Sequence, residues 1–251
     1  MSEPLAARSR GLRWSVCLLA AGGGTLLLAL VYVGWHREPA PEPESGRPGE
    51  GVTLDLEAAK RSAEQGEAAA QTLLGEAYLH GHGMKSDPRT AADWFRKAAA
   101  QGDASAQHAL GMMYEAGRGV PFDYVQAMEW YRKAAFHGHT LAQYSLAVMF
   151  SDGRGVRRDD AEALHWLARA AQAGEGLAQY ALAYRCSAGT GVPRDPAEAF
   201  KWFTLAAARK TPDAAAARDE LQAQMSRDEI AEGRRRVAQY VPARFAETVS
   251  P

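Results

Sequence analysis

The sequence predicts an all-α fold, a solenoid of stacked helix pairs preceded by one transmembrane helix. Three observations predict it: six residue columns that recur every 36 positions, an alanine-rich composition poor in β-branched residues, and an uncharged run of 22 residues near the N-terminus. The 251 residues are 47% hydrophobic and 24% charged, the balance of a folded protein. Alanine is the strongest helix former. A formal net charge of −1 excludes the concentrated basic face with which a nucleic-acid binder displaces counterions. Two cysteines, Cys17 and Cys186, cannot build a disulfide framework.

In chain order, residues 1–13 carry Arg8, Arg10 and Arg13 just before the uncharged run WSVCLLAAGGGTLLLALVYVGW, residues 14–35. A helix of that length covers the ~30 Å hydrocarbon core. Trp14, Tyr32 and Trp35 suit the two interfaces, and the arginines keep the N-terminus cytoplasmic. A signal peptide would have a shorter apolar region and small residues at its cleavage site. This run ends in VYVGW, so it reads as an uncleaved anchor, with Cys17 a small apolar residue inside it. Residues 36–53, HREPAPEPESGRPGEGVT, form a proline-, glutamate- and glycine-rich spacer that cannot bury a core. In a bacterium this places the remaining chain in the periplasm, tethered to the inner membrane by a single pass.

The repeat begins at residue 66. Gly66, Gly102, Gly138 and Gly174 are 36 residues apart, and so are Trp94, Trp130, Trp166 and Trp202. Ala-Gln pairs, Gly-x-Gly pairs, aspartates at 87, 123, 159 and 195, and double alanines keep the same step. This divides the chain into units 66–101, 102–137, 138–173 and 174–209. Within a unit, Ala70, Leu73, Leu74, Ala77 and Tyr78 mark one face of a first helix. Gly81 and Gly83 end it, and Asp87 with Pro88 starts the second, as N-cap and first helical residue. Ala91, Trp94 and Ala98 mark the face of that second helix, with the tryptophan filling volume between neighbours. Residues 54–65 read as a second helix without its partner. Residues 210–240 read as a degenerate repeat and a capping helix opened by Ser226-x-x-Glu229, with 241–251 a tail. The run Arg234–Arg236 reads as the solvated face of that capping helix.

The stretch AQHALGMMYEAGRGVPFDYVQAMEWYRKAAFHG, residues 106–138, resembles the Sel1-like repeat. The resemblance covers 66–209 and implies a right-handed α/α solenoid, a tetratricopeptide-like superhelix whose first helices line the concave surface. It also implies a protein-binding scaffold. Some cysteine-rich members of the family are linked to β-lactam binding or hydrolysis, which leaves an envelope hydrolase as the alternative function. Those carry a disulfide in each repeat, whereas Cys186 here replaces the column of Tyr78, Tyr114 and Phe150 and reads as a core residue.

The residues point to no catalytic centre, metal site or cofactor. His80 and His82 share one turn, and His137 and His139 flank Gly138 at a different corner of the repeat. A catalytic zinc site needs about three convergent protein ligands, and the chain has neither an H-E-x-x-H nor a nucleophile or phosphate-loop motif. The expected ligand is a protein. Two and six residues after the repeat's alanine lie one turn apart on the first helix. They read Thr72 and Glu76, His108 and Met112, Tyr144 and Val148, Tyr180 and Tyr184. This stripe grows aromatic along the chain, the composition of protein interfaces. His108, Met112, Tyr144, Val148, Tyr180 and Tyr184 are therefore the candidate partner-binding residues, and for the tyrosines packing against adjacent helices is an equal reading.

Overall fold

Each glycine-ended first helix is followed by an aspartate-capped second helix, and the computed structural model repeats this unit along residues 56–241, which are the residues it describes. The expected span 14–35, the spacer 36–53 and most of the tail lie outside them. The helices are α1 Leu56–Glu64, α2 Ala68–His80, α3 Pro88–Ala100, α4 Ala104–Ala116, α5 Tyr124–Phe136, α6 Thr140–Asp152, α7 Asp160–Gln172, α8 Gly176–Ala188, α9 Pro196–Ala208, α10 Ala214–Gln224 and α11 Arg227–Ala238. From α1 to α10 each packs on its neighbours in sequence, and α11 folds back on α9. The result is an all-helical solenoid, with no strand among the described residues.

The hairpin turn is built from local chemistry. Gly81, Gly117, Gly153 and Gly189 cap the first helices in the left-handed region, each N–H bonding the carbonyl four residues back. The aspartate N–H then bonds the carbonyl of Tyr78, Tyr114, Phe150 or Cys186 near the first helix's end, at 2.8–3.0 Å. Its carboxylate accepts from the first N–H groups of the second helix. One residue thus ties the end of one helix to the start of the next.

In the first two units, packing inside the hairpin departs from the expected role of tryptophan, whereas Trp166 and Trp202 are buried in the core as expected. The fully enclosed aromatics are the next residues along, Phe95 and Tyr131. They sit against Gly75 and Gly111, where a Cβ would lie 2.7 and 2.5 Å from their rings. Trp94 and Trp130 remain half-buried, each under a lysine one turn on, Lys97 at 3.8 Å and Lys133 at 4.1 Å from the ring centre. Arg169, one turn on, stands over the buried Trp166, and Lys201, the preceding residue, over the buried Trp202. In the first two units tryptophan closes the rim of the core and offers its outer face to a cation.

The glutamine of each Ala-Gln pair joins successive units. Gln71, Gln107, Gln143 and Gln179 are buried, and each Nε2 donates to a carbonyl eight residues earlier, Ala63, Ala99, Ala135 or Ala171, at 3.1–3.3 Å. Those carbonyls belong to the last turns of the preceding helices, where each also accepts the N–H of the glycine three residues on, Gly66, Gly102, Gly138 or Gly174. The bond from Gln71 to α1 is the same as the others, so α1 does the work of a second helix. The glutamine oxygens are treated unequally. Gln101 donates to Gln71 Oε1 at 2.8 Å, and His137 Nδ1 lies 3.0 Å from Gln107 Oε1. In the third unit the donor position is Ala173, and Gln143 Oε1 is buried without a partner. Ala173→Gln restores the donor and should raise stability by about 1 kcal/mol. A urea midpoint unchanged or lowered by the substitution would rule this account out.

The C-terminal end is closed by side chains rather than by another repeat. Where the glycine column reaches Lys210, the backbone keeps its positive φ of 58° without a glycine. The capping box at Ser226 and Glu229 forms, with Ser226 N–H donating to Glu229 at 2.7 Å and Glu229 N–H to Ser226 Oγ at 3.2 Å. Gly233 admits the Phe200 ring to α11. Arg236 donates to Asp195 and Glu232 at 2.7 Å and to Glu198 at 3.0 Å, while Arg235 pairs with Glu232. Two of the three arginines of the run are thus engaged in ion pairs, and Arg236 ties the capping helix to the start of α9. Tyr240 finishes the seal, its hydroxyl donating toward the carbonyls of Ala171 and Gln172 and its ring set against Trp202.

Candidate partner-binding face

The face built by α2, α4, α6 and α8 separates into two columns. The inner one, Thr72, His108, Tyr144 and Tyr180, points largely into the inter-helix packing. His108 is only 8% exposed, stacked on His139 with ring centres 4.5 Å apart and against Tyr131 at 5.4 Å. Burial, and next the neighbouring His139, pushes its pKa down to about 3. The imidazole is therefore a neutral packing element, and this placement departs from a histidine turned toward a ligand. Tyr144 is equally buried, its phenol pushed up to about 12 by burial and then by Glu175 and Asp152. Tyr180 is half-buried and meets Phe203 edge to face at 5.5 Å.

The outer column, Glu76, Met112, Val148 and Tyr184, reaches solvent. Met112 and Val148 are half-buried, Glu76 is exposed and Tyr184 is 46% exposed. The reason for the split is angular. Residues four apart on a helix differ in direction by about 40°, enough to turn one toward the neighbouring helix and the other outward.

Sequence reasoning missed a polar cluster beside this column. Tyr131, almost fully enclosed, donates its hydroxyl to Glu115 at 2.7 Å. Arg154 reaches Glu115 at 3.2 Å and Asp152 at 3.0 Å, and burial raises the Asp152 pKa. Arg118 likewise donates to the Leu79 carbonyl of the preceding unit. These arginines occupy the variable slot of the Gly-x-Gly turn, and only the contact with the previous unit reveals that they bridge repeats.

The remaining candidates for chemistry are placed apart. His80 and His82 are exposed on their turn with ring centres 5.5 Å apart. Among the described residues, no group of three or more His, Cys, Asp or Glu side chains is arranged to hold a metal ion. Cys186 is buried, and burial first, then Glu198 and Asp195, pushes its thiol up to about 11. Such a thiol is protonated at neutral pH and a poor nucleophile. No helix among the described residues is long and apolar enough to cross a membrane.

Comparisons with known proteins match this architecture. The Sel1 repeat family model matches residues 68–103, 104–139, 140–175 and 176–210, more than half of the chain. A Sel1 repeat protein from Oxalobacter formigenes is similar in structure, with a TM-score of 0.57 and 33% identity over 63% of this chain and 65% of that one. A protective antigen of uropathogenic Escherichia coli with an SLR fold gives a TM-score of 0.52 and 25% identity, over 81% of this chain and 53% of that one. The chain thus spans about two thirds and about half of the length of these relatives. No curated protein matches. The matched stretches each begin where a first helix begins, at Ala68, Ala104, Thr140 and Gly176, and the chain belongs to the Sel1 repeat family.

Proposed function

We propose that this protein is a membrane-anchored scaffold of the bacterial envelope that binds a protein partner along the outer column Met112, Val148 and Tyr184, with Tyr180 at its edge. Sel1 repeats generally mediate protein binding. The observation that carries the reading is that this column places accessible apolar side chains on successive first helices. Rigid stacked helices hold them at fixed spacing, which lowers the ordering cost of binding. His108 and Tyr144 contribute from behind by fixing the helices. The anchor is residues 14–35, the linker 36–53 sets the reach, and the role is binding rather than hydrolysis.

A photo-crosslinking residue introduced at Tyr184 or Met112 of the full chain in membranes is expected to trap one protein, and the same residue at Arg96 to trap none. Equal adducts at all three positions, or adducts only at Arg96, would refute the assignment of the face. A reporter fused after Pro251 is expected to be active only outside the cytoplasm. Activity confined to the cytoplasm would remove the envelope from the proposal and leave the binding face standing.

A further inference from the structure

The outer face of α5 differs from its counterparts. Val125, Glu129, Arg132 and Phe136 follow one another at steps of four, three and four residues, so they form one stripe. All four are exposed, Val125 at 53% and Phe136 at 68%, and Phe122 at 59% extends the apolar end just before the helix. The corresponding stripe of α3 is Arg89, Asp93, Arg96 and Ala100, and that of α7 is Ala161, His165, Ala168 and Gln172. On α3 the central acid and base close on each other, Arg96 to Asp93 at 2.6 Å. Glu129 and Arg132 stand in the same two positions on α5. Among the described residues neither is in an ion pair.

We propose that this stripe is a self-association surface whose occupant is a second copy of the same chain, docked with its α5 antiparallel across a two-fold axis. In an antiparallel helix pair, contacting positions have a constant sum. Centring the axis between Glu129 and Arg132 sets Glu129 opposite Arg132 of the second copy, and the reverse, giving two opposite-charge contacts. The same register sets Val125 opposite Phe136 at both ends. The stripe is therefore complementary to itself in charge and in polarity, which is the requirement of an isologous interface. A charged partner of either sign alone would leave one of the two central side chains facing a like charge. One helix face is smaller than the roughly 800 Å² per partner of a durable interface, so the dimer depends on concentration.

Sedimentation equilibrium of the full chain in mild detergent at micromolar concentrations tests the proposal. The unaltered chain should dimerise reversibly. E129R and R132E, both at exposed positions and both expected to keep the helical circular dichroism, should each weaken the dimer by about tenfold through opposed like charges. An equimolar mixture of the two variants, and the double variant E129R/R132E, should recover the original affinity, because each restores opposite charges across the axis. A chain that stays monomeric, a dimer that neither single variant weakens, or a mixture that fails to recover would each overturn it.

Discussion

Gly155→Ala should lower the stability of the solenoid by roughly 3 kcal/mol, and Gly153→Ala, two residues away, by only about 1 kcal/mol. Both glycines have positive φ, 67° and 72°, so both substitutions incur the left-handed penalty of a side chain. They differ in what a Cβ would meet. At Gly153 the nearest atoms are 3.3–3.4 Å away, ordinary to tight contact. At Gly155 the Tyr124 carbonyl oxygen would be 2.6 Å away and its carbon 2.7 Å, and these belong to the backbone at the start of α5 in the preceding unit. A backbone neighbour cannot swing aside, so the junction between units must open. Gly119 stands in the same relation to Pro88. Urea unfolding of both variants checks the ranking. Equal losses would show that the turn conformation alone, without the junction, sets the requirement for glycine.

Acid should destabilise the protein through His108. Its folded pKa of about 3 lies below the ordinary value of 6.5, because burial and His139 disfavour the cation. Above pH 6.5 the ring is neutral folded or unfolded, and the contribution to stability is fully present. As pH falls from 6.5 toward 3, only the unfolded chain takes up the proton, and stability is lost at about 1.4 kcal/mol per pH unit. By about pH 5 the loss is roughly 2 kcal/mol. His139, on which the His108 ring stacks, is held by its Nδ1 accepting from the Ala142 N–H at the start of α6. Urea unfolding between about pH 7.5 and 5 should show the slope in the unaltered protein. His108→Leu should flatten it by close to one proton, whatever its effect at neutral pH. An identical slope in the variant would mean that other groups carry the acid sensitivity.

Much of the fold was legible because its determinants are local. The αL glycines, the aspartate caps and the three-to-four spacing of alanine and leucine each act within one turn of chain, and four copies in phase make them unmistakable. The capping box at Ser226 was legible for the same reason. The candidate site was legible only as a stripe. The pairing of positions two and six was right about the helix that carries them, yet it did not separate Met112, Val148 and Tyr184, which reach solvent, from His108 and Tyr144, which do not. Helical period places a residue within a face of the helix. Which part of that face meets the neighbouring unit depends on the rotation from one repeat to the next, and sequence periodicity does not contain that rotation.

The sequence by itself determined the unit, its length, the place of every turn and the family, because those follow from backbone preferences repeated every 36 residues. The tertiary structure decided which aromatic is enclosed, Phe95 and Tyr131 rather than Trp94 and Trp130. It decided that Gln107 caps the preceding helix at Ala99 and that Arg154 bridges to Glu115. It turned His108 inward and Tyr184 outward. The enclosure of Phe95 and Tyr131 is a contact inside a hairpin, against Gly75 and Gly111. The Gln107 and Arg154 bonds are contacts between units, and their geometry is set by how close the glycine turns allow one hairpin to approach the next.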